Sequence, residues 1–586
     1  MARSTRAGRA VYNVLAMPRQ LPVLPPESLH RKTPRRAAFL LLGLLACALP
    51  LPAQEPEEPQ APATTVNSGA PNTPALTLDT TRVPVRGVVR DAASGQTLAR
   101  VQVQIEGDAR NGTLTDGEGR FEFEDVPVGP QIFLLNKPGY RDQIAAAQPP
   151  TMQPNLFSSR NVIVAATMPA LQFSMQREAV LHGIVRLDTG DPAENLTVQL
   201  ARQEIRNGRL VWELGSSMRA RADGSFRFAH LVPGAYALLT HPWLERTNDA
   251  APTTPTWGYA PALTGDLEPI QLASGSDQQI DLTLNRALFQ PVTVRLAGGD
   301  PTQSYRATIT DAAGHPIRFM SRFEAATHTL QLLLPDGDHH LYIRSAIRPS
   351  ATQTIFESAL DVHVAGHPVE TQASLVPQAT LPIEVLVEHL SSKLISPGRF
   401  LLEATPDVGW ASAADRTLLL HDITNKNLSE NRLDVGRYWV TPLLLSNDLC
   451  AISLTAGSSN LATEPLTVGL GGSTAPLTLR LRDNCAQLTL ALPEGLRTLT
   501  AGEEPVYTVY LVPTFASPLI IAPLSLRPTS GGTATLKGLT PGDYRLYVLR
   551  GTVQFAYHSD EARQQTAPVI HLAEGESKQM TIEVPQ

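Results

Sequence analysis

From about residue 81 onward the chain is dominated by short runs in which apolar and polar residues alternate. Val101-Gln102-Val103-Gln104-Ile105, Leu196-Thr197-Val198-Gln199-Leu200 and Tyr544-Arg545-Leu546-Tyr547-Val548 each send every second side chain to one face, the period of a half-buried β-strand. Asp116-Gly117 and Asp223-Gly224 stand just before Phe121-Glu122-Phe123 and Phe226-Arg227-Phe228. They predict hairpin turns leading into strands whose two rings share a side. Ile270-Gln271-Leu272 to Leu282-Thr283-Leu284 and Ile570-His571-Leu572 to Met580-Thr581-Ile582 read as closing strands around a Gly turn. Amphipathic helical periods are almost absent. The pattern therefore predicts an all-β fold of antiparallel sandwiches.

One motif recurs five times: an aliphatic residue, two more residues, Gly, one residue, then usually Tyr and a β-rich run. Its glycines are Gly129, Gly234, Gly337, Gly436 and Gly542, at intervals of 105, 103, 99 and 106 residues. A near-constant period of this kind marks a repeated unit. The Gly, often preceded by Pro, supplies the positive φ of a tight turn. Tyr236, Tyr438 and Tyr544 open the strands that follow and are expected in the core, where a ring can be buried with its hydroxyl bonded. The third copy has His339 at that position and the first Gln131. The expected organisation is a signal segment over 1–53, a Pro-rich linker over 54–80, and five tandem sandwiches over 81–176, 177–288, 289–380, 381–484 and 485–586.

Arg31, Lys32, Arg35 and Arg36 precede the apolar run Ala37 to Leu49 and the small Ala53, the parts of a secretory signal. Cleavage is expected after Ala53, with Met17 as an alternative start and Cys47 as an alternative lipid-modified residue. An apolar run of that length falls short of the roughly 20 residues that span a bilayer, so membrane contact is expected only through the uncleaved signal. Residues 1–53 hold eight of the 48 Lys and Arg and one of the 55 Asp and Glu, so the chain after position 53 has a formal charge of −14 instead of −7. That balance argues against nucleic acid, which requires a basic footprint. Of three cysteines, Cys450 and Cys485 remain after the signal. In an oxidising compartment they are expected to form a disulfide. The 49 Pro and 40 Gly fit a turn-rich folded chain and fall short of a low-complexity one.

The run Val85-Arg86-Gly87-Val88-Val89, Asp91, Gly95, Val101-Gln102-Val103, Thr115-Asp116, Gly119-Arg120-Phe121-Glu122-Phe123, Val126-Pro127 and Gly129 resembles the carboxypeptidase regulatory-like domain. The second unit resembles it over 179–240, and the last three follow by the repeat. The resemblance implies a transthyretin-like sandwich related to carbohydrate-binding folds, without chemistry of its own, in an exported bacterial protein.

Candidate chemistry is sparse. His367-Pro368-Val369-Glu370 has a His-x-x-Glu spacing, but at a turn between strands, where the carboxypeptidase zinc pair would not sit. His558-Ser559-Asp560 contains triad residue types without triad spacing. The Asp-Gly turns lack the acidic ladder of a calcium loop. No catalytic residue, metal or cofactor is expected. The expected function is a non-enzymatic cell-envelope scaffold or interaction rod, at the periplasm, outer surface or outside, whose partner is an envelope protein or polysaccharide. One alternative is polysaccharide binding through Trp243, Trp257 and Tyr259, aromatics in the Pro-rich loop after the second repeat turn; another is an accessory role to a hydrolase on a separate chain.

Overall fold

The computed structural model describes residues 81–141, 158–245, 253–265, 268–347, 353–388, 400–407, 410–412, 417–421, 432–444, 449–472, 474–497, 500–519, 521–559 and 566–585. The signal segment, the linker and Cys47 lie outside the described residues. Thr77–Gln586 forms one compact unit in which strands follow one another almost without helix.

The strands group into five sandwiches, over 82–177, 179–284, 286–377, 383–482 and 486–581. Each encloses its own apolar core. Phe121, Phe133 and Phe173 fill the first, Leu181, Leu238 and Leu284 the second, and Val294, Leu332 and Ile343 the third. Leu402, Leu454 and Leu479 fill the fourth, and Leu488, Leu526 and Leu572 the fifth. The alternation in the sequence does this directly. In the strand Arg82–Asp91 the residues Val83, Val85, Gly87, Val89 and Asp91 lie inward, with Arg82, Pro84, Arg86, Val88 and Arg90 on the wetter face.

Within each sandwich the named strands pair antiparallel with one repeated exception. The first strand of every sandwich runs parallel to its last: Arg82–Asp91 with Leu171–Arg177, Ala179–Leu187 with Asp277–Gln279 and Leu282–Leu284, and Arg286–Gly298 with Val369–Pro377. Ile383–Glu388 with Leu477–Arg482 and Ala486–Ala491 with Ser577–Thr581 complete the set. The opening and closing strands of a unit thus lie side by side and point the same way, so the chain enters at one end of that sheet and leaves at the other, where the next unit starts at once. A single residue, Glu178 or Asn285, separates the first three sandwiches.

The five repeat glycines each open a strand, at Gly129, Gly234, Gly337, Gly436 and Gly542. Their φ angles run from 113° to 157°, a region that side chains bearing a Cβ avoid. Two residues on, a side chain turns back to the carbonyl four positions upstream, across the turn. The Tyr236 hydroxyl donates to Val232 at 2.7 Å and Tyr438 to Asp434 at 3.0 Å. The Tyr544 hydroxyl donates to Thr540. His339 Nε2 meets Pro335 O at 2.9 Å and Gln131 Nε2 donates to Pro127 O at 3.2 Å. His and Gln therefore replace Tyr without loss of the bond, and the third and first copies are full members of the repeat. Burial raises the Tyr236 hydroxyl to about 12 and raises that of Tyr544 as well.

Sandwiches that are not neighbours in the chain also pair strands. Gly502 and Glu503 of the fifth pair with Ile163 and Val162 of the first, and Arg160 meets Glu503 at 3.1 Å. A strand of the second, Arg209–Arg219, pairs in parallel with Trp410–Ser412 of the fourth. Short linkers and edge-strand pairing fold the chain back on itself.

Tyr236→Phe and Tyr544→Phe are each expected to cost about 1 kcal/mol, the net worth of one hydrogen bond, read as a lower denaturation midpoint; unchanged midpoints would remove the corner bond from the stability of the fold. Alkali provides a second check. An unfolded tyrosine ionises near pH 10 and Tyr236 near 12. The folded value is the higher, so this contribution is complete below about pH 10 and is lost as pH rises towards 12. Absorbance titration at the phenolate band is expected to show Tyr236 ionising late, together with unfolding.

Candidate functional site

The second sandwich carries a long hairpin, Thr197–Arg206 and Arg209–Arg219, closed by Asn207-Gly208. Their φ angles are 49° and 75°, the paired positive values of a two-residue hairpin turn that matches strand twist. Its tip reaches the fifth sandwich. Gly208 lies under the Tyr557 ring, where a Cβ would come within 2.3 Å of a ring carbon, and its carbonyl accepts from the His558 N–H at 3.0 Å.

Where the hairpin, the fourth sandwich and the fifth meet, a cleft of about 760 Å³ opens. Arg209 lays its guanidinium 3.6 Å from the centre of the Trp439 ring, a cation–π contact between the second and fourth sandwiches. The indole Nε1 donates to Asp407 at 2.6 Å, and Arg437 pairs with the same carboxylate at 3.2 Å. Arg206 pairs with Glu213 at 2.5 Å. On the fifth sandwich, Tyr510 donates to Val553 O at 2.6 Å and its ring lies near those of Phe555 and Tyr557. Burial holds the Tyr557 hydroxyl well above the usual phenol range. The charged and aromatic groups of this wall are engaged with one another, so the cleft is a seam that fixes three sandwiches.

The sequence-selected residues lie elsewhere. Trp243 and Tyr259 stack at 5.5 Å between ring centres. Tyr259 belongs to the core of the second sandwich and Trp243 packs against it. Trp257 is 46% exposed, with the Arg286 guanidinium 4.4 Å from its ring centre. These aromatics are strand residues: Trp243–Leu244 pairs with Thr256–Tyr259, which pairs with the first strand of the third sandwich. His367 and Glu370 are exposed, with Glu370 facing Arg295. His558 and Ser559 line the rim of the cleft, and Asp560 lies outside the described residues. Asp116 and Asp223 accept backbone N–H groups of their own turns. Among the described residues no three His, Cys, Asp or Glu side chains converge on a metal position.

Cys450 and Cys485 form a disulfide, with Cα atoms 5.7 Å apart. Cys450 opens the strand Cys450–Ala456 of the fourth sandwich, and Cys485 stands immediately before the fifth. Arg482 pairs with Glu388 of the fourth and Glu574 of the fifth, both at 3.0 Å. Thr540 Oγ1 donates to Ala451 O at 2.8 Å across the same boundary. Two cysteines could be read from sequence as a pair, and the expected boundary between 484 and 485 already sets them in neighbouring modules. The Asn-Gly turn was the available signal for the hairpin, and its reach depends on folds hundreds of residues away.

Residues 84–155 match the family described as carboxypeptidase regulatory-like domain. No curated protein matches the sequence. Among solved structures, a streptococcal ancillary pilin is 10% identical, covers 50% of this chain and 100% of its own, and superposes with a TM-score of 0.16. The minor pilin GBS52 of Streptococcus agalactiae is 12% identical over 35% of this chain and 96% of its own, with a TM-score of 0.18. An adhesin-like protein of Bacteroides ovatus is 11% identical over 34% of this chain and 93% of its own, with a TM-score of 0.14. Superpositions this loose carry no functional argument.

Gly208→Ala places a Cβ against Tyr557 and forces Ala into a left-handed conformation, a cost of about 1–2 kcal/mol before the clash is counted. The expected result is faster hydrogen exchange in Arg209–Arg219 with unchanged exchange in the core of the fifth sandwich. Unaltered exchange in that strand would mean the tip is not anchored there.

Proposed function

We propose that this chain, whose first sandwich is a carboxypeptidase regulatory-like domain, is a non-enzymatic exported scaffold of the bacterial cell envelope. The observation that carries the reading is the cross-tying of its sandwiches: a disulfide at one junction, a hairpin from the second sandwich on the fourth and fifth, and strand pairing from the fifth to the first. Such ties hold the sandwiches against one another, as a scaffold requires. Export is supported by the disulfide, a bond that persists in oxidising compartments, together with the basic and apolar segments ahead of Ala53. The partner on this reading is an envelope protein or polysaccharide. Of the three loop aromatics proposed for sugar contact, Trp257 alone is largely exposed, so it is the ring through which a polysaccharide would be held.

Fractionation of the source cells is expected to place the protein outside the cytoplasm, beginning at Gln54, with thiols that react only after reduction. A cytoplasmic chain with an intact N-terminus and three free thiols would overturn the proposal. Trp257→Ala is expected to abolish any retention on envelope polysaccharide while leaving the melting temperature within about 1–2 °C, as for a surface substitution of a few tenths of a kcal/mol.

A further inference from the structure

Glu357 lies on the strand Phe356–Val364 of the third sandwich and is wholly buried. Its carboxylate is held from two sandwiches. Oε1 accepts the N–H of Gly471 at 2.9 Å and of Gly472 at 3.3 Å, both in a turn of the fourth. These glycines have consecutive φ angles of 75° and 68° and direct their two N–H groups at one anion, a small backbone nest. Oε2 accepts the Tyr342 hydroxyl at 2.5 Å and the Gln378 amide at 2.9 Å. Gln378, in the linker between the two sandwiches, also donates to Leu433 O and Asp434.

The charge count at this junction is uneven. Asp434, at the corner of the fourth sandwich, is paired with Arg344 at 2.9 Å, and Tyr342 interacts with both Asp434 and Glu357. The strand Gly337–Ser345 therefore presents Tyr342 and Arg344, and the fourth sandwich presents Asp434. The turn Leu470–Gly472 and the strand end Val376-Pro377 beside Glu357 add no charge. The guanidinium is thus spent on Asp434, and Glu357 is met only by neutral donors, with the Tyr342 hydroxyl between the two carboxylates.

We infer that the junction of the third and fourth sandwiches is a proton-sensitive latch, in which Glu357 takes up one proton when the junction is closed and Tyr342 turns its hydroxyl to Asp434. With both ionised, the buried group carries an excess negative charge. With one proton added, Glu357 donates to the Tyr342 oxygen, which then donates to Asp434, and the group is neutral. No covalent bond changes.

Burial raises the Glu357 carboxyl above its ordinary range, and Asp434 adds to the rise. The native value exceeds the unfolded one, so closure is favoured most below about pH 4.3, the ordinary glutamate value. It weakens as pH climbs through the raised value. Acid surroundings tighten the junction and higher pH loosens it.

The full chain can be tested by hydrogen exchange between pH 4.5 and 8, corrected for intrinsic rates and read on peptides covering Gly471 and Gly472. Protection is expected to fall with rising pH, by up to about tenfold per unit within the window, and Glu357→Gln is expected to flatten the profile. Tyr342→Phe, which keeps the ring and removes the bridging hydroxyl, is expected to flatten it as well and covers the case in which the Gln variant does not fold. Protection independent of pH in the native chain, or a slope that survives in Tyr342→Phe, would overturn the inference.

Discussion

The fold rests on a hydrogen bond made five times: a side chain two residues after a glycine returns to a carbonyl four residues before it. The glycine permits the turn, and the bond holds it at the moment the chain changes sheets. A corner of this kind occurs with tyrosine in other sandwiches. Here Gln131, Tyr236, His339, Tyr438 and Tyr544 fill one role with three chemistries. What the corner demands is a donor of the right reach. The strand beginning at each glycine then meets its neighbour in one register, from Gly129 opposite Val164 to Gly542 opposite Leu572.

The parallel pairing of first and last strands has an equally general effect. Because the closing strand runs the same way as the opening one, the chain leaves a sandwich at the end opposite its entry; the next unit can start there after a single residue, and neighbouring units have little freedom to swing. Polar groups then settle in the junctions. Glu178 takes Arg141 and His230 between the first two sandwiches. Arg286 takes Glu245 at the next junction, and Glu357 is enclosed at the third. Exposed ion pairs such as Arg286–Glu245 are worth little; Glu357 differs in being wholly buried.

The all-β class, the repeat and the corner glycines were legible because each is local: alternation, a turn residue and a fixed interval need no knowledge of distant chain. The His339 and Gln131 corners were obscured by residue type, since neither resembles tyrosine until hydrogen-bond reach is considered. The parallel strand pair was illegible because period two is the same in either direction. The cleft lies further from the sequence still. Arg209, Trp439 and Tyr557 belong to three sandwiches, and nothing near any of them in the chain names the others. Trp243 and Tyr259 drew attention as loop aromatics, yet pairing with the third sandwich turned their loop into strands and two of its rings inward.

The disulfide joins the first strand residue of one sheet to the residue before the next sandwich, enclosing 35 positions of sequence. If the two ends of the chain are drawn apart, force passes through the sulfur bridge and bypasses the backbone between Cys450 and Cys485. Roughly 115–125 Å of contour, at about 3.3–3.6 Å per residue, is withheld from extension for as long as the bridge is oxidised. The strands inside that loop, including the closing strand of the fourth sandwich, carry no tension, so this part of the molecule has a fixed maximum length under pull.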